Sequence, residues 1–519
     1  MKKAIYLIIA LIGLSAPSCS DSMLDFSPTD SGSGKELLKS ASTAITSVNG
    51  VYRSMWTAGW STTANTHQCF GIAAYNLALD CMADDLIMQS QGNGWFWGDH
   101  CYNVKSNYTS SAFRSYDVWY ANYKWIANVN YIINAEPEMA GTEADVAYVA
   151  GQAYAIRALC YLNLATWFSR APYNSLTGAS RWNEACVPVY TTGTSIDTGG
   201  QPRESLRTVY GRIDQDIDRA IELLEKARET TLAENNKSHI NLYVALGIKS
   251  RACLAEGDWD GAFKAAKRVI DEGGYAVGTK SDLTGGMNSL DKQNVMWGAG
   301  IQVADQAGGY AGFFTHMDNK EGAYAKSAPK LISKQLYNRI SATDIRRDWW
   351  DPSDKESPYV SKKFSFANVA SFLGDYIYMR VEEMYFTAAE AALRLDDLKS
   401  ARELMNTVMA ERDPGYSANN RSGTLLGATT TTWTGSFLEN ILTHRRIELW
   451  GEYGRLFDVR RLGQGIDRRT DDGFSEECIS MMNRRNVNIT KADTYDWVLT
   501  IPKAELDANP NINEEDQNP

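Results

Sequence analysis

Histidine is scarce in this 519-residue chain, which contains only five. They are scattered along the sequence, so a zinc site or a histidine general base has little to be built from. The HExxH, GxSxG and Walker A patterns are also missing. The sequence gives no positive signal for catalysis, and we expect a protein that is not an enzyme and uses no cofactor or metal.

An excess of basic residues is lacking too. The chain has 52 lysines and arginines against 63 aspartates and glutamates, which gives a formal net charge of −11. Proteins that bind nucleic acid use clustered positive charge to neutralise phosphates. A nucleic acid partner is therefore not expected.

Long hydrophobic runs are absent except near the N-terminus, where residues 4–14 read AIYLIIALIGL. This run is too short to cross a bilayer comfortably. Two lysines precede it and small residues follow it, which is typical of an export signal that ends before Cys19. We expect residues 1–18 to be a lipoprotein signal peptide and Cys19 to carry the lipid anchor. An ordinary secretory signal is the alternative. Residues 19–34 are rich in Ser, Asp and Gly and predict a flexible tether.

Pairs of cysteines in CxxC spacing do not occur, so a cysteine-ligated zinc site is not indicated. Seven cysteines follow Cys19, an odd number that cannot all pair within one chain. Cys69, Cys81 and Cys101 are close in sequence and could form a bridge in an exported protein. Buried free thiols are the alternative, and the sequence leaves the choice open.

What the chain does contain is apolar residues at helical spacing, which favour amphipathic helices. These stretches are residues 35–56, 116–136, 143–168 and 203–227. Two other stretches, 239–275 and 380–410, read as a helix, a short acidic turn and a second helix, similar to the tetratricopeptide unit. Repeated hairpins predict a mainly α fold with a tetratricopeptide-like scaffold. We place its hairpins near 35–170, 203–275 and 376–412, within a single domain of residues 35–519.

Segments rich in Gly, Ser, Thr and Asn interrupt the helices and predict loop-rich regions over residues 60–115, 276–375 and 413–436. Long irregular segments in a compact protein are usually functional. One of them contains QSQGNGWFWGDH, residues 89–100, with three aromatics among glycines. On an extended chain Trp95 and Trp97 would share one face and Phe96 would lie on the other. We expect Phe96 to contact the scaffold and the two tryptophans to face outward.

Alternating charge marks residues 444–461, HRRIELWGEYGRLFDVRR. On one helix these side chains would form a ladder at three- and four-residue steps. Arginine suits buried ion pairs because its guanidinium is planar and donates several hydrogen bonds. We interpret the ladder as a structural ion-pair network that holds helices together. Its members are Arg445, Glu448, Glu452, Arg455 and Asp458.

Four segments together resemble the SusD/RagB family of surface lipoproteins from Bacteroidetes. They are KLISKQLYNRISATDIRRD (330–348), RVEEMYFTAAEA (380–391), RIELWGEYGRLFDVRRL (446–462) and IPKAELDANPNINEEDQNP (501–519). The resemblance spans nearly the whole chain. It implies tetratricopeptide-like hairpins that carry a loop-rich region, and a binding protein without catalysis. It also implies a lipid-anchored protein at the cell surface that caps a SusC-like TonB-dependent outer-membrane transporter and delivers oligosaccharides, or peptides in the RagB branch.

The aromatic loops are the candidate ligand site. A sugar ring packs its C–H face on an aromatic ring, and polar side chains at the rim bind its hydroxyls. Individual ligand residues vary within the family, so none is transferred by motif. The adjacent Asp84 and Asp85 are expected to be solvated, or one of them to bind sugar hydroxyls. The candidates are Asn93, Trp95, Trp97 and Asp99 in the first loop, Tyr310, Phe313 and Phe314 in the second, and Trp349 and Trp350 in the third.

Other functions remain open at this point. A peptide-binding lipoprotein of the RagB type is the alternative within the family. A scaffold or adhesin is the alternative from another class, since helical repeats often bind proteins. The sequence does not identify the ligand.

Overall fold

The computed structural model describes residues 34–61, 65–102, 113–195, 197–233, 237–305, 310–421, 435–491 and 494–519. Cys19 and the predicted signal peptide lie outside the described residues, so lipidation stays a prediction. Within the described ranges, no helix combines the length and the apolar character needed to cross a membrane.

Helices dominate the fold, as the sequence predicted. In chain order they are α1 Gly34–Leu37, α2 Ala41–Ser54, α3 Ile72–Met82, α4 Trp97–His100, α5 Phe113–Ala135, α6 Glu143–Phe168, α7 Leu206–Lys226, α8 Leu242–Glu256, α9 Trp259–Glu272, α10 Lys280–Leu283, α11 Phe313–Met317, α12 Ala323–Ser327, α13 Lys334–Tyr337, α14 Val381–Arg394, α15 Leu398–Ala410, α16 Phe437–Glu448, α17 Arg455–Arg461, α18 Glu476–Arg484 and α19 Lys503–Ala508.

The long helices pack as successive antiparallel neighbours. Helix α6 contacts both α5 and α7, α8 contacts α9, and α14 contacts α15. The acidic turns of the two predicted hairpins start their second helices. Asp258 accepts a hydrogen bond from the backbone N–H of Gly261, and Asp397 accepts one from that of Ser400. Each aspartate therefore acts as an N-cap, which satisfies a backbone donor that the helix leaves unpaired.

The strands of the described residues are short and form two antiparallel sheets. They are β1 Leu86–Met88, β2 Val295–Ala299, β3 Lys330–Ile332, β4 Trp350–Asp351, β5 Val360–Ser361 and β6 Tyr376–Arg380. One sheet has the order β1, β3, β5, β4, and the other pairs β2 with β6. In β1, Leu86 lies opposite Ile332 of β3, which connects the first loop region to the second.

One predicted loop region is more helical than expected. Residues 60–115 contain α3, whose side chains are nearly all buried. Its sequence, IAAYNLALDCM, is apolar on every face, so it has no amphipathic stripe. The predicted helix over 35–56 is also divided into α1 and α2.

Candidate functional site

The segment around Trp95 does not run as an extended strand. Phe96 has a left-handed backbone with φ of 61°, and α4 begins at the next residue. This turn breaks the two-residue alternation that would have placed Trp95 and Trp97 on the same outward face. Phe96 is fully buried, as expected, but Trp97 is also buried, with 3% of its surface exposed. Trp95 keeps an intermediate exposure and Asn93 is exposed.

Trp95 joins a group of rings that we call the aromatic cluster: His67, Trp95, Tyr310, Tyr324 and Phe372. The imidazole of His67 stacks on the indole of Trp95 with ring centroids 5.1 Å apart. Tyr324 meets the edges of both rings, at 5.4 Å from His67 and 6.1 Å from Trp95. Tyr310 contacts Tyr324 at 5.9 Å and Phe372 at 5.3 Å. Tyr310 is 41% exposed, so the cluster opens to solvent at this ring.

Hydrogen bonds and close packing hold the rings of the cluster in place. The Tyr324 hydroxyl lies 2.6 Å from Nδ1 of His67. The backbone N–H of Phe96 donates to the side-chain oxygen of Gln68 at 2.9 Å. At Gly92, φ is 50° and an added Cβ would meet the carbonyl oxygen of Ser327 at 2.6 Å, so only glycine permits this approach. Rings fixed in this way lose little entropy when a ligand binds.

Asp99 is a structural residue and not part of the surface. Its carboxylate accepts two hydrogen bonds from Arg114, each 2.9 Å long, and both side chains are buried. Burial lowers the pKa of Arg114, but the charge and hydrogen bonds of Asp99, together with the charge of Asp117, more than offset this and keep the pKa above its usual value. This fork-to-carboxylate pair ties α4 to α5. The interpretation of Asp99 as a rim residue is therefore corrected.

The remaining candidates lie in the core. The rings of Phe313 and Phe314 pack on Tyr376, with centroids 6.1 Å away in both cases. Trp349 and Trp350 contact each other at 5.7 Å, and the Trp349 indole N–H donates to a backbone carbonyl. All four side chains are buried, because the packing of distant segments covers them. The structure thus brings Trp95 and Tyr310 together at the surface and leaves Asn93 exposed nearby in sequence.

Three rings of the cluster were not among the sequence candidates. His67, Tyr324 and Phe372 come from separate segments of the chain, and Tyr324 lies on α12. Tyr324 lies in the predicted loop-rich region 276–375, two residues after Gly322, which is a usable signal. His67 and Phe372 stand in ordinary sequence, and only the fold places them beside the others.

The charged segment 444–461 forms a buried ion-pair network, as predicted, but not as a ladder along one helix. The segment is split between α16 and α17, and most of its ion-pair partners lie in other parts of the chain. Glu448 contacts Arg346, Arg380 and Arg412 at 2.9–3.1 Å. Burial raises the pKa of Glu448, but Arg412 and then Arg380 more than offset this and leave it well below its usual value.

Asp84 and Asp85 belong to the same type of network and are not solvated. Arg455 lies 3.1 Å from Asp84 and 3.3 Å from Asp85, and Arg446 contacts both carboxylates. All four side chains are nearly buried. These two arginines therefore neutralise the acids, and neither acid is available to a sugar hydroxyl.

The seven cysteines from Cys69 to Cys478 are all buried, and none of them forms a disulfide within the part of the chain that the structure describes. The bridge considered among Cys69, Cys81 and Cys101 is absent from the described residues. In the same part of the chain, no group of three His, Cys, Asp or Glu side chains is arranged to hold a metal ion.

The fold and the cluster define a class: a helical-hairpin protein whose loops carry a preorganised aromatic surface. Residues 326–519 match the family model described as SusD family, and residues 43–254 match the one described as starch-binding associating with outer membrane. The chain belongs to the SusD/RagB family. No curated protein sequence matches it.

Solved structures with this fold cover nearly the whole chain. A SusD-like carbohydrate binding protein from Bacteroides vulgatus is 25% identical, with a TM-score of 0.71 over 92% of this chain and 98% of its own. A SusD superfamily protein from Bacteroides thetaiotaomicron is 22% identical, with a TM-score of 0.73 over 92% and 100%. Surface glycan-binding protein A from the same species is 16% identical, with a TM-score of 0.65 over 93% and 99%.

Proposed function

We propose that this protein is a glycan-binding lipoprotein of the cell surface that binds oligosaccharides at the aromatic cluster without chemically changing them. The observation that carries the proposal is that the exposed Tyr310 ring and the half-buried Trp95 ring both contact His67 and Tyr324. Aromatic side chains from different loops that are held by shared neighbours offer apolar ring faces at low entropic cost. The C–H face of a pyranose ring can pack on such a ring face. Asn93 is exposed in the same loop as Trp95 and can exchange hydrogen bonds with hydroxyl groups.

Glycan is favoured over peptide by the composition of the cluster. Its members are aromatic, and the structural relatives include a carbohydrate binding protein and surface glycan-binding proteins. Asp99, the charged candidate next to Trp95, is already paired with Arg114 and gives no anchor for a peptide terminus. Neutral rings with C–H faces therefore suit the site better than charged chain ends.

Affinity electrophoresis tests the binding. The protein should migrate more slowly in at least one gel of a series that contains soluble starch, xylan, galactomannan, chondroitin sulfate or heparin. In calorimetry, a panel of oligopeptides should give no heat of binding. The double variant Trp95→Ala/Tyr310→Ala should migrate as it does in an empty gel. Retention in none of the gels, together with binding to peptides, would overturn the proposal.

The proposal extends to location and transfer. We infer that Cys19 carries the lipid anchor at the outer surface and that a SusC-like TonB-dependent transporter receives the bound glycan. Labelling cells with an alkyne fatty acid should mark the wild type and not Cys19→Ala. Affinity purification of the full chain from its native membrane should recover a TonB-dependent transporter. Undiminished label in the variant, or recovery without a transporter, would contradict these two parts.

A further inference from the structure

A polar cleft of about 790 Å³ adjoins the aromatic cluster. Two elements contribute to both. Helix α12 supplies Tyr324 to the cluster and Lys326 to the cleft. The turn that follows β5 supplies Phe372 to the cluster and Phe366 to the cleft, and these two rings contact each other at 6.1 Å. The cluster and the cleft are therefore neighbouring surfaces, separated by the thickness of a side chain.

The cleft has a rigid frame. The buried Asp318 accepts hydrogen bonds from the backbone N–H groups of Lys320, Glu321 and Phe366 at 2.9–3.0 Å. Asn319 donates to the carbonyl oxygen of Ser361 at 2.8 Å and accepts from the N–H of Lys330 at 2.9 Å. These contacts join the loop after α11 to β3, β5 and the turn beyond. A frame with its backbone groups already paired does not need to reorganise when a ligand enters.

The rim of the cleft is polar and carries both signs of charge. The lining residues include three lysines and five acidic residues. The rim ion pairs are loose: Lys362 lies 3.7 Å from Asp351, and Lys326 lies 3.7 Å from Glu321. Such exposed pairs contribute little to stability, so their donors and acceptors can turn toward a ligand. Because positive charge is not in excess, the lining does not favour a sulfated or uronic acid chain. Donors and acceptors in alternation suit hydroxyl groups.

We propose that this cleft is a second part of the ligand site, and that the preferred ligand is a neutral oligosaccharide long enough to stack on the aromatic cluster and extend over Phe372 into the cleft. This inference rests on the proposed glycan-binding function. The ring centroids of Tyr310 and Phe372 lie 5.3 Å apart, and those of Phe372 and Phe366 lie 6.1 Å apart. A short sugar chain spans this distance. The aromatic cluster binds the first rings, and the cleft adds affinity only for the units that follow.

The test uses the full chain and oligosaccharides of three and seven units prepared from whichever neutral polysaccharide retains the protein in a gel. Calorimetry on the wild type should give at least tenfold tighter binding for the heptamer. Glu356 and Lys362 both line the cleft. In the double variant Glu356→Ala/Lys362→Ala, heptamer affinity should fall to near that of the trimer, while trimer affinity should not change. Both side chains are exposed, so the melting temperature should stay constant. Lys355→Ala, an exposed neighbour outside the cleft, is the matched control and should bind like the wild type.

Hydroxyl-radical footprinting gives a readout that needs no variant. Val369 lines the cleft and is 45% exposed, so the heptamer should protect it and the trimer should not. Any one of four results would overturn this inference and leave the proposed glycan-binding function intact. They are equal affinity for the two lengths, unchanged heptamer binding in the double variant, no protection of Val369, and retention by chondroitin sulfate or heparin alone. Retention by no glycan would overturn both.

Discussion

The His67 imidazole lies nearly parallel to the Trp95 indole, with an angle of 28° between the rings and 5.1 Å between their centroids. This stack fixes the tryptophan from one side, and the Tyr324 edge contacts it as well. An aromatic side chain held by two neighbours presents its remaining surface in one orientation. The proposed ligand surface is thus formed by the cluster and not by Trp95 alone.

Trp95→Ala should weaken glycan binding strongly and leave the fold intact. Truncating a central aromatic contact typically costs about 2 kcal/mol or more, which is roughly a thirtyfold loss of affinity. Calorimetry with a retained oligosaccharide measures this loss. The melting temperature should change little, because Trp95 is only partly buried. Wild-type affinity in this variant would remove Trp95 from the site.

Trp97→Ala should have the opposite profile. The indole is buried and packs against His100 with ring centroids 5.6 Å apart. Replacing a buried tryptophan by alanine typically costs about 3–5 kcal/mol of the free energy of unfolding, because a cavity remains. Differential scanning calorimetry should detect a clear fall in melting temperature. At a temperature where the variant is folded, glycan affinity should be close to that of the wild type, and a selective loss of binding would contradict this.

The different roles of these two tryptophans could not be predicted from their spacing. Period-two alternation holds only while the chain is extended, and the left-handed Phe96 rotates Trp97 into the core. Helical hairpins were predictable because periodicity and acidic N-caps are local signals, and Asp258 and Asp397 cap the helices where the turns were expected. Burial of Trp350 depends on a contact with Trp450, one hundred residues away, which local sequence does not reveal.

Glu448→Ala should destabilise the protein severely. This carboxylate is fully buried among three arginines, and its loss removes the acid that all three share. Three buried positive charges then have only Asp344, Glu382 and Glu452 to balance them. Removing one partner of a buried ion pair typically costs about 3–5 kcal/mol. Denaturation by guanidinium, followed by tryptophan fluorescence, measures the cost. Glu403→Ala is the matched control, since this helical glutamate is exposed and its ion pair with Lys399 is long, at 3.9 Å. Equal midpoints for the two variants would mean that the network does not stabilise the fold.

The buried thiols of Cys160 and Cys186 should resist alkylation in the native protein. Burial raises the pKa of Cys160 and the pKa of Cys186, the latter to about 11, so these two side chains supply little reactive thiolate at neutral pH. N-ethylmaleimide followed by peptide mapping should modify neither of them in buffer and both in guanidinium. Rapid modification of either cysteine in buffer would contradict its burial.

The Asp80→Asn variant should gain stability relative to the wild type as the pH rises. Burial raises the pKa of Asp80 to about 7, although the backbone N–H of Arg455 donates to Oδ1 and partly offsets the shift. The other carboxylate oxygen has no hydrogen-bond partner among the residues that the structure describes. Asp85 raises the pKa further, while the Gly451 backbone and Lys363 lower it.

The sign follows from proton binding. Between the ordinary aspartate value near 4 and pH 7, the folded state holds a proton on Asp80 that the unfolded state releases. The contribution of Asp80 to stability is therefore fully present below about pH 4 and is lost as the pH rises through about 7. Asparagine does not titrate, so the melting temperature of the variant minus that of the wild type should increase from pH 5 to pH 8 and then level off. A difference that stays constant over this range would mean that Asp80 is ionised in the folded protein throughout.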